Sequence, residues 1–221
     1  MHRIALLMAA SVGSALVPES VGVVGVGTIS SAAVRGLCRP DTYAMDAPEI
    51  MLSPRNAAKA KALADEFEYV SIAANNQAVV DACDCVLLAV LPGQAEQVCE
   101  PLNFREGQLV ISLMAGVPLS DIERWCGPAV CSLACPLPAI AENAGTTIVT
   151  PPEPRTVAVF EKLGTAVPVA TEAQFKRLQA ITCVMGALYA RQKTAQDWLV
   201  TNGVDATAAS AYVGGVFHTM T

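Results

Sequence analysis

The run Val21-Gly22-Val23-Val24, followed at once by Gly25-Val26-Gly27, constrains this chain more than any other stretch. An unbroken apolar segment suits a strand covered on both faces, as in the interior of a parallel sheet. Gly25 and Gly27 permit a sharp turn and a close backbone approach, and the small residues from Thr28 to Arg35 read as the helix that follows. Ser30 holds the third position of a G-x-G-x-x-G/A spacing and is small enough for tight helix–strand contact. A turn of this form aims helix-terminal amides at one point, which suits a pyrophosphate. The spacing alone also fits a glycine turn with no ligand; the flanking strand and helix favour a nucleotide site.

The same alternation continues downstream. Glu49–Leu52 reads as a second strand, Asn56–Phe67 as a helix and Tyr69–Ile72 as a third short strand. Asn75 and Asn76 cap a helical segment over Gln77–Ala82, and Cys85–Val90 is the clearest buried strand, closed by Leu91-Pro92-Gly93. Another helix begins at Gln94, and Gln108–Leu113 returns as a strand. Repeated strand–helix units imply an α/β, Rossmann-type parallel sheet with right-handed crossovers. Ala129–Cys135, Thr146–Val149 and Ala166–Val169 extend it, with helices at Leu119–Trp125, started by Ser120 or Asp121, and at Thr156–Leu163. Pro151–Arg155 is a boundary candidate.

From Glu172 the period turns helical and stays so, giving a small all-helical C-terminal segment with a stripe of Phe175, Leu178, Ile181 and Met185. The expected organisation is a Rossmann domain over 21–170 and a helical dimerisation or substrate segment over 171–221. Residues 1–20 form an extension: Arg3 and the apolar Ile4–Val17 look like a weak targeting segment, too short and too broken by Gly and Ser for a membrane span. An upstream start or an expression-related extension is the preferred reading of that stretch, with a secretory or organellar signal and an ordered extra strand or helix as the alternatives.

The end of the second strand selects the nucleotide. An acidic residue there would accept bonds from the adenosine ribose of NAD, and none occurs over Leu52–Asn56. Ser53 and Arg55 offer instead a hydroxyl and a guanidinium suited to the 2′-phosphate of NADP. NADP(H) is therefore expected over NAD(H), the competing reading of Arg55 being an ordinary loop cation.

Hydrophobic residues make up 53% of the chain and charged residues 15%, leaving apolar helix faces that a homodimer or higher homo-oligomer would hide. The net charge of −6, without a basic cluster, excludes a phosphate-backbone binder, so no nucleic-acid partner is expected. The eight cysteines lack paired metal knuckles, and both histidines, His2 and His218, lie near chain ends. Buried thiols in a reducing, cytoplasmic setting are expected, with no metal and no membrane.

Taken together, Gly22-Val23-Val24-Gly25-Val26-Gly27-Thr28-Ile29, Ser53-Pro54-Arg55-Asn56, Asp84–Pro92 and Ser112-Leu113-Met114-Ala115-Gly116-Val117 resemble the pyrroline-5-carboxylate reductases, which complete proline synthesis. Order and spacing agree over about residues 21–130. The resemblance implies Gly25, Gly27, Thr28 and Ile29 at the cofactor pyrophosphate, Ser53 and Arg55 at the adenosine phosphate and Asn76 near the ribose. It further implies Ala89, Val90 and Pro92 along the cofactor, with Ala115 and Gly116 near the nicotinamide.

Departures follow. Leu91 stands where the family has the lysine of AVKP. The family's R-x-M-P-N-T-P-A is here Ser132-Leu133-Ala134-Cys135-Pro136-Leu137-Pro138-Ala139, and its SGSGPAY is matched only at Gly186 and Tyr189. The late T/S-S-P-G-G-T-T has no counterpart up to Thr221. Fewer hydrogen-bond donors leave a less polar substrate pocket, so either the substrate differs or the sequence stops short of the full enzyme. Hydride transfer from NADPH to a small cyclic imine is the expected activity. Reduction of another imine or oxo compound, and a catalytically inactive NADP-binding regulatory module, are the alternatives. No side chain is assigned as the catalytic proton donor: Glu142 and Asn143 near the proline loop, and Tyr189, all have competing structural roles.

Overall fold

The computed structural model describes residues 16–40 and 47–219. The expected extension up to residue 15 lies outside the described residues. The chain divides into two compact units between Phe175 and Lys176.

The first unit is built on one eight-stranded sheet of order β3-β2-β1-β4-β5-β6-β7-β8. Its elements are β1 (Ser20–Val24), α1 (Thr28–Leu37), β2 (Glu49–Leu52), α2 (Ala57–Glu66), β3 (Val70–Ile72), α3 (Asn76–Ala82) and β4 (Cys85–Leu88). They continue through α4 (Ala95–Cys99), β5 (Leu109–Ser112), α5 (Leu119–Cys126), β6 (Val130–Cys135), β7 (Thr146–Thr150), α6 (Pro154–Lys162) and β8 (Thr165–Pro168). Strands β1 to β6 are parallel throughout. The central strands are buried on both faces, which is why they read as continuous apolar runs. In β4, Cys85 and Leu87 join one core with Val23, Leu37, Leu63 and Phe160. Val86 and Leu88 face the other core with Val24, Val80, Val110 and Ile122.

The sheet departs from a purely parallel one at β7, which runs antiparallel to β6 and pairs Ala134 with Val149. Pro136–Gly145 contains only a 3-10 turn over Pro138–Glu142, too short for the crossover that a parallel return requires. β8 then lies parallel to β7 at the edge.

Local signals account for most helix starts. Asn75 Oδ1 accepts the Ala78 N–H at 2.9 Å, so Asn75 is the cap and Asn76 the first helical residue of α3. At α5 neither Ser120 nor Asp121 opens the helix: Pro118 precedes it, and the Leu119 N–H donates to Glu172 Oε2 at 3.2 Å. Pro151–Arg155, expected as a boundary, lies inside the first unit, where Arg155 donates to the Gly107 carbonyl at 2.9 Å.

The second unit comprises the end of α7 (Glu172–Ile181), then α8 (Val184–Thr201) and α9 (Ala206–Thr219). Asp205 Oδ1 caps α9 by accepting the Thr207 N–H at 2.9 Å. Ala209 and Val213 are its buried apolar residues, whereas Trp198 is 65% and Tyr212 71% exposed. Among the described residues no helix is long and apolar enough to cross a membrane.

Candidate functional site

Because β1, β2, β3, β4 and β5 are parallel, their carboxyl ends share one edge of the sheet, and the segments leaving them meet there. Every expected nucleotide-site residue lies in one of those segments. Gly25, Gly27, Thr28 and Ile29 follow β1; Ser53 and Arg55 follow β2; Asn76 follows β3; Ala89, Val90 and Pro92 follow β4; Ala115 and Gly116 follow β5.

The glycine turn is held from three sides. Ser30 Oγ accepts the Gly27 N–H at 2.8 Å and donates to the Gly25 carbonyl at 2.7 Å. Ser53 Oγ accepts the Gly25 N–H at 2.9 Å. Asn56 Nδ2 donates to the Val26 carbonyl at 3.0 Å. Each such bond contributes on the order of 1 kcal/mol, and together they shape the turn with the chain's own groups. Gly25 has φ +98°, and a Cβ there would stand 2.7 Å from the backbone carbonyl of Ala89. That position therefore needs glycine twice over, for its conformation and for the approach of β4.

Beyond the turn, the Thr28 and Ile29 amides sit in the first turn of α1, where N–H groups have no intrahelical acceptor and the helix end is electropositive. Thr28 is exposed and Ile29 half-buried. Ala115 and Gly116 are exposed, Gly116 with φ +84°. Asn76 is half-buried. Pro92 opens a 3-10 turn that places Gln94 against Arg55, whose Nη1 donates to Gln94 Oε1 at 2.9 Å.

Two placements change expected roles. Ser53 is only 1% exposed and faces Gly25, so its hydroxyl shapes the turn, while Arg55 is exposed. Ser30, expected as a small packing residue, also braces the turn through its hydroxyl. Asn56 and Gln94 were not singled out from the sequence. Asn56, expected as the first residue of the helix, is its cap instead, accepting the Lys59 N–H at 3.4 Å.

Other polar groups lie elsewhere. Glu142 pairs with Arg39 at 2.6 Å. Arg39 follows the carboxyl end of α1, whose other end carries the glycine turn, so this ion pair gives no support to a proton relay through Glu142 at the crevice. Ser132 is buried and accepts the Thr156 hydroxyl of α6 at 3.1 Å. Tyr189 belongs to the second unit and is 56% exposed.

Among the described residues, no disulfide joins the eight cysteines and no cluster of three or more His, Cys, Asp or Glu could hold a metal. Burial pushes Cys38, Cys83 and Cys99 up to about 11. Burial also raises Cys85, while Cys126 is raised first by its hydrogen bond to Cys131 and then by burial. These thiols are protonated near neutral pH and make poor nucleophiles.

The parallel strands β1 to β6 in this order, with a braced glycine turn at the carboxyl edge of β1, make a Rossmann-type fold. Residues 20–116 match the family model described as NADP oxidoreductase, coenzyme F420-dependent. Over 109 residues the chain is 30% identical to the pyrroline-5-carboxylate reductase of Pseudomonas aeruginosa; the match takes in 48% of this chain and 38% of that protein's length. The fold resembles the 1-pyrroline-5-carboxylate reductase of Streptococcus pyogenes with a TM-score of 0.76 and 20% identity, covering 93% of this chain and 78% of that one. It also resembles the Plasmodium falciparum pyrroline carboxylate reductase with NADP bound, with a TM-score of 0.74 and 16% identity, covering 90% and 76%. The chain is thus similar to pyrroline-5-carboxylate reductases in part of its sequence and in fold, and its sequence match spans less than half the length of the curated relative.

Proposed function

We propose that the protein is an NADPH-dependent reductase that delivers hydride to a small cyclic imine. The observation that carries this reading is the glycine turn, shaped by Ser30, Ser53 and Asn56, with Arg55 beside it and no carboxylate at the end of β2. Gly25, Gly27 and the amides of Thr28 and Ile29 hold the pyrophosphate, Arg55 the 2′-phosphate and Asn76 the adenosine ribose. Ala89, Val90 and Pro92 line the path toward Ala115 and Gly116, which flank the nicotinamide. When bound, the nicotinamide supplies the hydride. The protein's share is positioning, since holding two reactants in register replaces a bimolecular encounter. The imine nitrogen takes up a proton during reduction, and ordered water is the donor we assign.

Pyrroline-5-carboxylate is the leading substrate. One observation favours a second: Ser132 is turned into the packing against Thr156, and Pro136 and Leu137 follow β6 without side-chain donors. A cyclic imine without a carboxylate fits those positions better. Two copies assembled through the helical unit would cover Trp198 and Tyr212, which stand exposed.

The test is NADPH oxidation with pyrroline-5-carboxylate and with 1-pyrroline, which lacks the carboxylate. Turnover of either supports the reductase reading, and their ratio fixes the substrate class. Tight NADPH binding with no turnover on any cyclic imine would replace it with a regulatory, NADP-holding module.

A further inference from the structure

Arg55 is not a lone loop cation. Its Nη1 donates to Gln94 Oε1 at 2.9 Å, joining the segment after β2 to the segment after β4. β1 lies between those strands, so the pair spans the carboxyl end of the strand that carries the glycine turn. Both partners sit on fixed backbone. Two residues before Arg55, Ser53 is tied to the Gly25 amide, and immediately after it Asn56 is tied to the Val26 carbonyl. Gln94 closes a 3-10 turn opened by Pro92, its N–H donating to the Leu91 carbonyl at 2.8 Å. Among the described residues of 53–56 and 89–94, Arg55 is the one cation; Leu91, 70% exposed, adds no charge.

We infer that Gln94 is a positioning residue for dinucleotide selectivity: it holds the Arg55 guanidinium over the mouth of the crevice and so prepares it for a 2′-phosphate. The inference rests on the NADPH reading above. A long, flexible arginine ordered before the ligand arrives loses less freedom on binding. One guanidinium N–H is engaged by a neutral acceptor, which leaves the others for a phosphate and places no competing negative charge beside it. A carboxylate in the place of Gln94 would hold Arg55 as well but repel the phosphate.

The experiment is a fluorescence titration of NADPH and NADH against the full chain, Gln94→Ala, Gln94→Glu, Arg55→Ala and the Arg55→Ala/Gln94→Ala pair. NADH affinity reports that each variant is folded. Gln94→Ala is expected to weaken NADPH by about three- to tenfold, the cost of ordering one long side chain, and to leave NADH unchanged. Gln94→Glu weakens NADPH further, and Gln94→Ala adds nothing once Arg55 is gone. Equal loss for both nucleotides, tighter NADPH binding by Gln94→Ala, or a full effect of Gln94→Ala in the Arg55→Ala background would overturn the inference while leaving the NADPH reading intact. If the unaltered chain binds neither nucleotide, both readings fall together.

Discussion

The sheet unit contains glycines wedged against their neighbours, and the helical unit contains none. In the sheet unit, a Cβ on Gly25 would stand 2.7 Å from the Ala89 backbone, and one on Gly36 would collide with the Ile140 carbonyl oxygen. In the helical unit, Gly186, Gly214 and Gly215 have nothing within 4 Å of the same construction. In the first unit Gly22, Gly25, Gly36 and Gly164 are small because a neighbour occupies the space, although its loop glycines Gly93, Gly107 and Gly116 stand open. The helical unit places apolar side chains on helices with few neighbours to receive them, and α8 and α9 bound an open groove lined by Ala195, Trp198, Leu199, Tyr212, Val213 and Phe217. Completeness belongs to the sheet; the helices present a surface.

The largest expected effect breaks the finished side. Gly25→Ala combines a left-handed backbone conformation with a collision against β4, and should cost about 3 kcal/mol or more. Chemical denaturation measures that loss, and nucleotide titration should show affinity abolished even where the variant folds. Next comes Arg55→Asp, expected to lower NADPH affinity about a hundredfold, since charge-assisted hydrogen bonds contribute about 1.5–3 kcal/mol each. NADH should change little; equal loss for the two nucleotides would remove Arg55 from the phosphate role.

On the open side, Trp198→Glu should weaken self-association about thirtyfold, the effect of removing an anchor worth about 2 kcal/mol, as read by sedimentation over a dilution series. A chain that is monomeric at every concentration before the substitution would show that the helical surface is not used this way. The smallest effect sharpens the contrast. Gly215→Ala lies within α9 with open space around it, and at low concentration should stabilise the chain by about 0.5–1 kcal/mol. A loss of stability confined to concentrations at which copies associate would place Gly215 in the contact.

These differences bear on what the sequence made legible. The apolar runs at Val21–Val24 and Cys85–Leu88 and the Gly25–Gly27 spacing are local signals, and local signals sufficed for the strands and the turn. What was not legible is carried by partners far apart in sequence. Ser53 to Gly25, Asn56 to Val26, Arg55 to Gln94 and Glu172 to Leu119 are contacts that only the assembled sheet creates. A hydroxyl or carboxylate gives no sign in sequence of which distant backbone group it will meet, so neither the Ser53–Gly25 bond nor the Glu172–Leu119 bond could be read there. The antiparallel β7 was missed because strand periodicity does not encode direction. In α7 the expected stripe is divided: Phe175 is buried while Leu178 and Ile181 are exposed, since amphipathic spacing shows which residues seek cover but not whether this chain supplies it.

β8 has a consequence for how copies of such a molecule can grow. It is the last strand, four residues long, and it ends in Pro168, which has no amide hydrogen to offer a newcomer. The opposite border, β3, is three residues long. Neither margin offers a long template for ribbon-like extension, so the sheet itself is guarded against endless lateral stacking.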